Sequence, residues 1–136
     1  MAALTAPRNT PAALGDVRAL PLPAGGKVFQ GAMVALTAAG FAAGATATAG
    51  QVTVGRADET ADNTDGQDGD NSVKTRRGVF RFANSAAADA IDLSDVGKDC
   101  FVVDDQTVAK TDNAGARPVA GKVFDVDAQG VWVEFL

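Results

Sequence analysis

Beyond Gly25 the chain has no stretch on which three turns of helix could form, because turn-forming residues interrupt every apolar run before it grows long. Glycines stand at positions 31, 40, 44 and 50, and each would weaken a helix interior by roughly 1 kcal/mol. Further on, Asp104-Asp105, Asp112-Asn113-Ala114-Gly115 and Asp127-Ala128-Gln129-Gly130 supply side chains that hydrogen-bond their own backbone or accept positive φ. Between these breaks lie short apolar runs. Gln51-Val52-Thr53-Val54-Gly55 alternates with the period of two that a half-buried strand needs. Strands are expected over 27–30, 32–36, 40–43, 51–56, 72–82, 99–103, 107–109, 119–126 and 131–135, with one helical turn in 91–97 closed by Gly97. In 72–82, Val79 and Arg81 fall on one face and Phe80 and Phe82 on the other, and Gly78 suits a bulge or bend. Short strands punctuated this often indicate an all-β sandwich or barrel, closed by a final hairpin.

Residues 1–26 stand apart from this pattern. They hold Pro7, Pro11, Pro21 and Pro23, four of the five prolines. Proline fixes φ, removes a donor and biases the residue before it toward extended geometry. An extended N-terminal arm is therefore expected ahead of a domain at 27–136, able to dock on a partner as an added strand or as polyproline II. The arm lacks the basic start and continuous apolar run of a secretory signal. Residues 28–55 carry no charge, and length alone would let them cross a bilayer. Their Ala, Gly and Thr are not the Leu, Ile, Val and Phe of a spanning helix, so no membrane contact is expected.

Two charged segments follow. Residues 58–70 hold six acids in thirteen positions, with Asp65-Gly66 and Asp68-Gly69 as turn formers, and are expected to form a long, mobile surface loop. Aspartates three apart with no closing glutamate do not fit a calcium loop, and no metal is expected. Lys74, Arg76, Arg77 and Arg81 then place four of the twelve cations within eight residues. Guanidinium forks match carboxylates, so these residues are candidate contacts for an acidic partner surface. Nucleic acid is not an expected partner: no aromatics interleave with these cations on one face, and a formal charge of −5 lacks a basic footprint.

The 136 residues include no His and no Tyr. No general base is poised near neutral pH, and neither a Ser-His nor a Cys-His pair can form. Ser72, Ser85 and Ser94 have nothing to activate them, Asp104 and Asp105 sit in a turn, and no glycine-rich phosphate loop precedes a helix. Cys100 is the only cysteine and is expected as a buried, inert thiol. The chain is thus expected to have no enzymatic activity, no cofactor and no small-molecule substrate. Against 28 Ala and 15 Gly stand 7 Phe, 1 Trp and 2 Met. Alanine buries little area, so a thin core is expected, with Trp132 in it and added stability drawn from a partner.

Four segments, Val54-Gly-Arg-Ala-Asp-Glu-Thr60, Arg76-Arg-Gly-Val-Phe-Arg-Phe-Ala-Asn-Ser85, Val102-Val-Asp-Asp-Gln-Thr-Val-Ala-Lys-Thr111 and Val123-Phe-Asp-Val-Asp-Ala-Gln-Gly-Val-Trp-Val133, carry a resemblance. Over roughly residues 28–135 the chain resembles the small capsid cement, or decoration, proteins of tailed bacteriophages, with the arm outside the likeness. The resemblance implies a β-rich domain, jelly-roll-like in some members, that binds the outside of an assembled head and locks neighbouring major capsid subunits together, with no metal or cofactor; with the strand pattern, the expected fold is an antiparallel β-sandwich, jelly-roll-like, behind the extended arm. The partners it implies are the major capsid protein and further copies of the chain, as a dimer or trimer. The place it implies is the outer surface of the virion, after synthesis in the host cytoplasm. Capsid contacts are then expected at Arg8 and Arg18 of the arm and at Lys74, Arg76, Arg77 and Arg81. The alternative is a β-rich tail or adhesin-like module that binds a host receptor or carbohydrate, for which one Trp and no Tyr supply little aromatic platform. A glycosidase using carboxylates alone would need two acids about 5–9.5 Å apart in a rigid cleft, which a turn and a mobile loop do not provide.

Overall fold

A computed structural model of the chain describes residues 2–135. In chain order the first strands are β1 (Val17–Pro21), β2 (Gly26–Val28), β3 (Met33–Leu36), β4 (Ala42–Gly44), β5 (Val52–Ala57) and β6 (Ala61–Asn63). They are followed by β7 (Ser72–Arg76), β8 (Gly78–Asn84), β9 (Asp99–Asp104), β10 (Thr107–Ala109), β11 (Val119–Asp127) and β12 (Gly130–Phe135). Short 3-10 turns at Ala87–Asp89 and Leu93–Asp95 are the helical segments among the described residues. No helix there is long and apolar enough to cross a membrane.

The strands build three layers. In the middle, β1-β7-β5-β3-β4 form an antiparallel sheet in that order. On one side the strands after Gly78 curl into a closed barrel, β10-β8-β12-β11-β9, antiparallel throughout except where β10 runs parallel to β8 at Thr107–Ala83 and Val108–Asn84. On the other side β2 and β6 pair as a ribbon. The chain is all-β and predominantly antiparallel, as the turn spacing requires. Of sandwich and barrel, the strands after Gly78 take the barrel.

Strand β3 shows how the layers are glued. Its side chains alternate across the sheet, so Met33 and Ala35 join the barrel core around Val102, Val108, Val131 and Val133. Val34 turns the other way and joins Leu22, Val28, Val54 and Val73 beneath the ribbon. The uncharged 28–55 segment thus supplies the contact between layers, and its Ala and Gly residues let backbones approach closely. The core is thin, as composition demands: among the described residues Phe82 and Phe135 are the buried phenylalanines, packed edge to face with ring centroids 5.9 Å apart.

Three expectations are corrected. The expected single strand 72–82 breaks at Arg77, where Gly78, at φ +146°, turns the chain out of the middle sheet and into the barrel. The bend lies at the glycine, but its two arms belong to different sheets. The acidic stretch is not wholly loop: Ala61–Asn63 is β6, and Asn63 is only 1% exposed because its amide donates to the carbonyls of Leu22, Pro23 and Gln67 at 3.4, 2.9 and 2.8 Å. That amide pins the loop to the start of the fold. The arm expected over 1–26 also divides. Residues 2–16 belong to no strand and are exposed, but Val17–Pro21 is an edge strand on β7 and Leu22 is fully buried. A boundary at Gly26 would cut through the folded body.

Candidate functional site

The six cations singled out from the sequence fall into two groups. Arg8, Arg18, Lys74 and Arg77 are exposed, and none makes an ion pair among the described residues. They gather along the arm and the β1 edge. Arg18 lies opposite Thr75, and Ala19 lies opposite Lys74. Directly opposed residues share a face, so Arg18 and Lys74 project from opposite faces of the sheet. Arg77 sits at the bend, where its N–H donates to the carbonyl of Asp16 at 2.8 Å and ties the root of the arm to the crossing into the barrel.

Arg76 and Arg81 are already engaged. Arg76 lies directly opposite Arg56 on β5, a like-charge placement that costs stability unless something bridges it. Asp58 is the bridge: Oδ1 accepts from Arg56 at 2.7 Å and Oδ2 from Arg76 at 3.0 Å. The Arg56 hydrogen bond, followed by that from Arg76, outweighs the opposing effect of burial and holds the Asp58 carboxyl below its ordinary value. Arg56 also stacks on the Phe80 ring at 4.2 Å, and its buried Nε has no hydrogen-bond partner.

Arg81 lies opposite Trp132, with its guanidinium 5.5 Å from the indole centroid. Trp132 donates through Nε1 to Asp127 Oδ2 at 2.8 Å. Asp127 Oδ1 accepts from the N–H groups of Gln129 and Gly130 and so shapes the β11–β12 turn. The Trp132 hydrogen bond is the main reason the Asp127 carboxyl sits below its ordinary value. Arg81 reaches this carboxylate only at 3.9 Å. Trp132, expected in the core, is half-buried and turned to the outer face of the barrel. The sequence pattern missed Arg56 and Asp58 as a unit with Arg76, because it divided them among a strand, an acidic loop and a second strand. No local signal joins residues that meet only through sheet pairing.

The remaining nucleophiles are structural in position. The Ser85 hydroxyl donates to the Val108 carbonyl at 2.9 Å, and Ser94 bonds the side chain of Asp92, which caps the second 3-10 turn. Cys100 is fully buried, its thiol donating to the Gly121 carbonyl at 3.5 Å. Burial is the main cause that pushes this thiol up to about 12, so almost none is thiolate near neutral pH. Cys100 should label with iodoacetamide at pH 8 at least about a hundredfold more slowly in the folded chain than in denaturant. Equal rates would mean that the thiol is open to solvent.

A groove of about 490 Å³ runs between β5 and the start of β11, flanked by exposed Val52 and Val119 and by the Lys122–Asp99 ion pair at 2.8 Å. A second cleft, of about 390 Å³, lies between the middle sheet and β8 and is walled by Arg56, Phe80, Arg81 and Trp132. Compared with family models, curated proteins and solved structures, the chain finds no match.

Proposed function

We propose that the chain is a structural virion protein that binds the outer surface of an assembled tailed-phage head and cements neighbouring major capsid subunits. It acts by contact and not by turnover, with further copies of itself as a dimer or trimer. On this reading the ribbon, sheet and barrel are the jelly-roll-like sandwich body of such a protein, and the arm is its tether. The observation that carries the reading is the arm with its surroundings. Residues 2–16 bury no side chain and keep Leu4 and Leu14 at 72% and 94% exposure, while Arg8 within the arm and Arg18, Lys74 and Arg77 at its root make no ion pair among the described residues. Exposed leucines on an extended arm are apolar surface that a partner can cover. Each added strand hydrogen bond contributes roughly 0.5–1.5 kcal/mol net, and a shell carrying many copies multiplies weak contacts.

The test is co-sedimentation with empty heads built from the major capsid protein encoded with this chain. Removing residues 1–15 keeps β1 and Leu22 in place, so the truncated chain should unfold at nearly the same temperature and bind heads at least about tenfold more weakly. Truncation at Gly26 would instead report on folding. The combined Arg18→Glu, Lys74→Glu and Arg77→Glu chain should lose binding to a similar degree and lose its salt dependence. Heads that withstand heat and osmotic shock equally well with and without the protein would sink the reading.

A further inference from the structure

The barrel is closed by a short contact at the end of β8. Strand β8 pairs with β12 over Gly78–Phe82, but on its other side it meets β10 at Ala83 and Asn84 alone. The edge of Gly78–Phe82 facing away from β12 therefore has no strand partner, and no loop among the described residues supplies a backbone bond there. Bare edges are normally blunted, because they are templates for pairing with another chain. Here the edge faces the 390 Å³ cleft, with Gly31 and Arg56 on the far wall. Gly31 presents no side chain to narrow the mouth, and a Cβ there would meet nothing within 4 Å.

The cleft also has a charge preference. Arg56 and Arg81 each lie over a ring, 4.2 Å from the Phe80 centroid and 5.5 Å from the Trp132 centroid, contacts that favour a cation in place. The lining holds two arginines, Arg56 and Arg81, and no carboxylate; their ion-pair partners, Asp58 and Asp127, lie outside it. Arg56 already bonds Asp58 and its Nε is buried, whereas Arg81 is exposed and only loosely paired, at 3.9 Å. The cleft lining is thus positive, in a protein whose overall charge is −5.

We propose that the bare edge of β8 is a docking strand for an extended, carboxylate-bearing segment of the partner protein, whose main chain pairs with Gly78–Phe82 while a carboxylate pairs with Arg81 and the charge of Arg56, across the strand, adds to the attraction. This rests on the contact function proposed above and names the chemistry of the partner segment. A phosphate would satisfy the arginines but leave the strand edge bare, whereas an extended acidic peptide satisfies both. Arg81, expected from sequence as a contact, keeps that role in this arrangement, and Arg56 joins it.

The test uses the full chain, 15N-labelled, titrated with a capped Val-Glu-Val-Glu-Val peptide and with its glutamine counterpart. The glutamate peptide should shift the amides of Val79–Phe82 and the Trp132 indole and should slow exchange along β8. The glutamine peptide should bind at least about tenfold more weakly, as should the glutamate peptide to Arg81→Gln, a change at an exposed site that leaves the fold intact. Shifts elsewhere, equal binding of the two peptides, or competition by inorganic phosphate alone at similar concentration would overturn the proposal. The two readings fail separately. If the glutamate peptide docks on β8 while heads do not bind the protein, the docking strand stands and the head-binding reading falls. If Arg81→Gln binds heads normally and the peptide does not dock, the docking strand falls and head binding stands.

Discussion

Gly55→Ala should lower the thermal midpoint by more than about 10 °C, since a loss of about 3–5 kcal/mol is expected and each kcal/mol is worth roughly 4 °C in a chain of this size. Two costs combine at this position. Gly55 sits at φ +152°, a region that side chains avoid. A Cβ there would also lie 2.4 Å from the Arg76 carbonyl oxygen, on the neighbouring strand and just before the chain bends away to the barrel. The register of β3 against β5 shifts at this point, leaving Val54 as an extra residue, so the glycine serves a bulge as well as a close approach. Gly50→Ala separates the two costs. Gly50 has φ +93° but open space around it, and its substitution should cost only about 1–2 kcal/mol. Thermal unfolding followed by circular dichroism reads both variants, and equal midpoints would refute the close approach at Gly55.

Met33→Ala should cost about 2–5 kcal/mol, by lost transfer energy and the cavity left between sheet and barrel. Met33 is fully buried, and its backbone is held at both ends, its N–H donating to the Asp105 carbonyl and its carbonyl accepting from Ala45, each at 2.8 Å. The side chain has little room to relax, which favours the upper part of that range. Because β3 feeds both cores, the loss should appear as an earlier midpoint of one cooperative transition with an unchanged denaturant slope. A second transition would mean that the barrel and the middle sheet fold independently.

The strand pattern was legible where turn residues bracketed an apolar run. Asp105-Gln106 and Ala128-Gln129 lie at the tips of hairpins, and Gly97, at φ +87°, follows the single turn at Leu93–Asp95. The pattern failed at β1, because Val17–Pro21 sits in a proline-rich context and is a strand only by virtue of the β7 edge beside it. It failed again at β6, where three residues without a large side chain are held by the Asn63 amide and by β2. Barrel closure rests on parallel pairing of β8 with β10, a contact between distant segments that no local periodicity announces. The same reason divides the candidate site. Arg81 stood out through the crowding of cations in sequence, whereas Arg56 became visible only when strand pairing set it against Arg76 and Phe80.

The way the arm joins the fold has a mechanical consequence. The arm enters β1 at Val17, opposite Arg76, at the same end as the Arg77 amide that holds Asp16. A pull on the arm across the strand therefore loads the β1–β7 ladder one pair at a time, beginning with that single bond, and β1 peels at about 0.5–1.5 kcal/mol per hydrogen bond. The barrel, tied to β7 through Gly78, bears little of the force until β1 is gone. A strained tether would thus yield by unzipping an edge strand, lengthening by about 3.4 Å per residue released, while the body stays folded and able to zip the strand back.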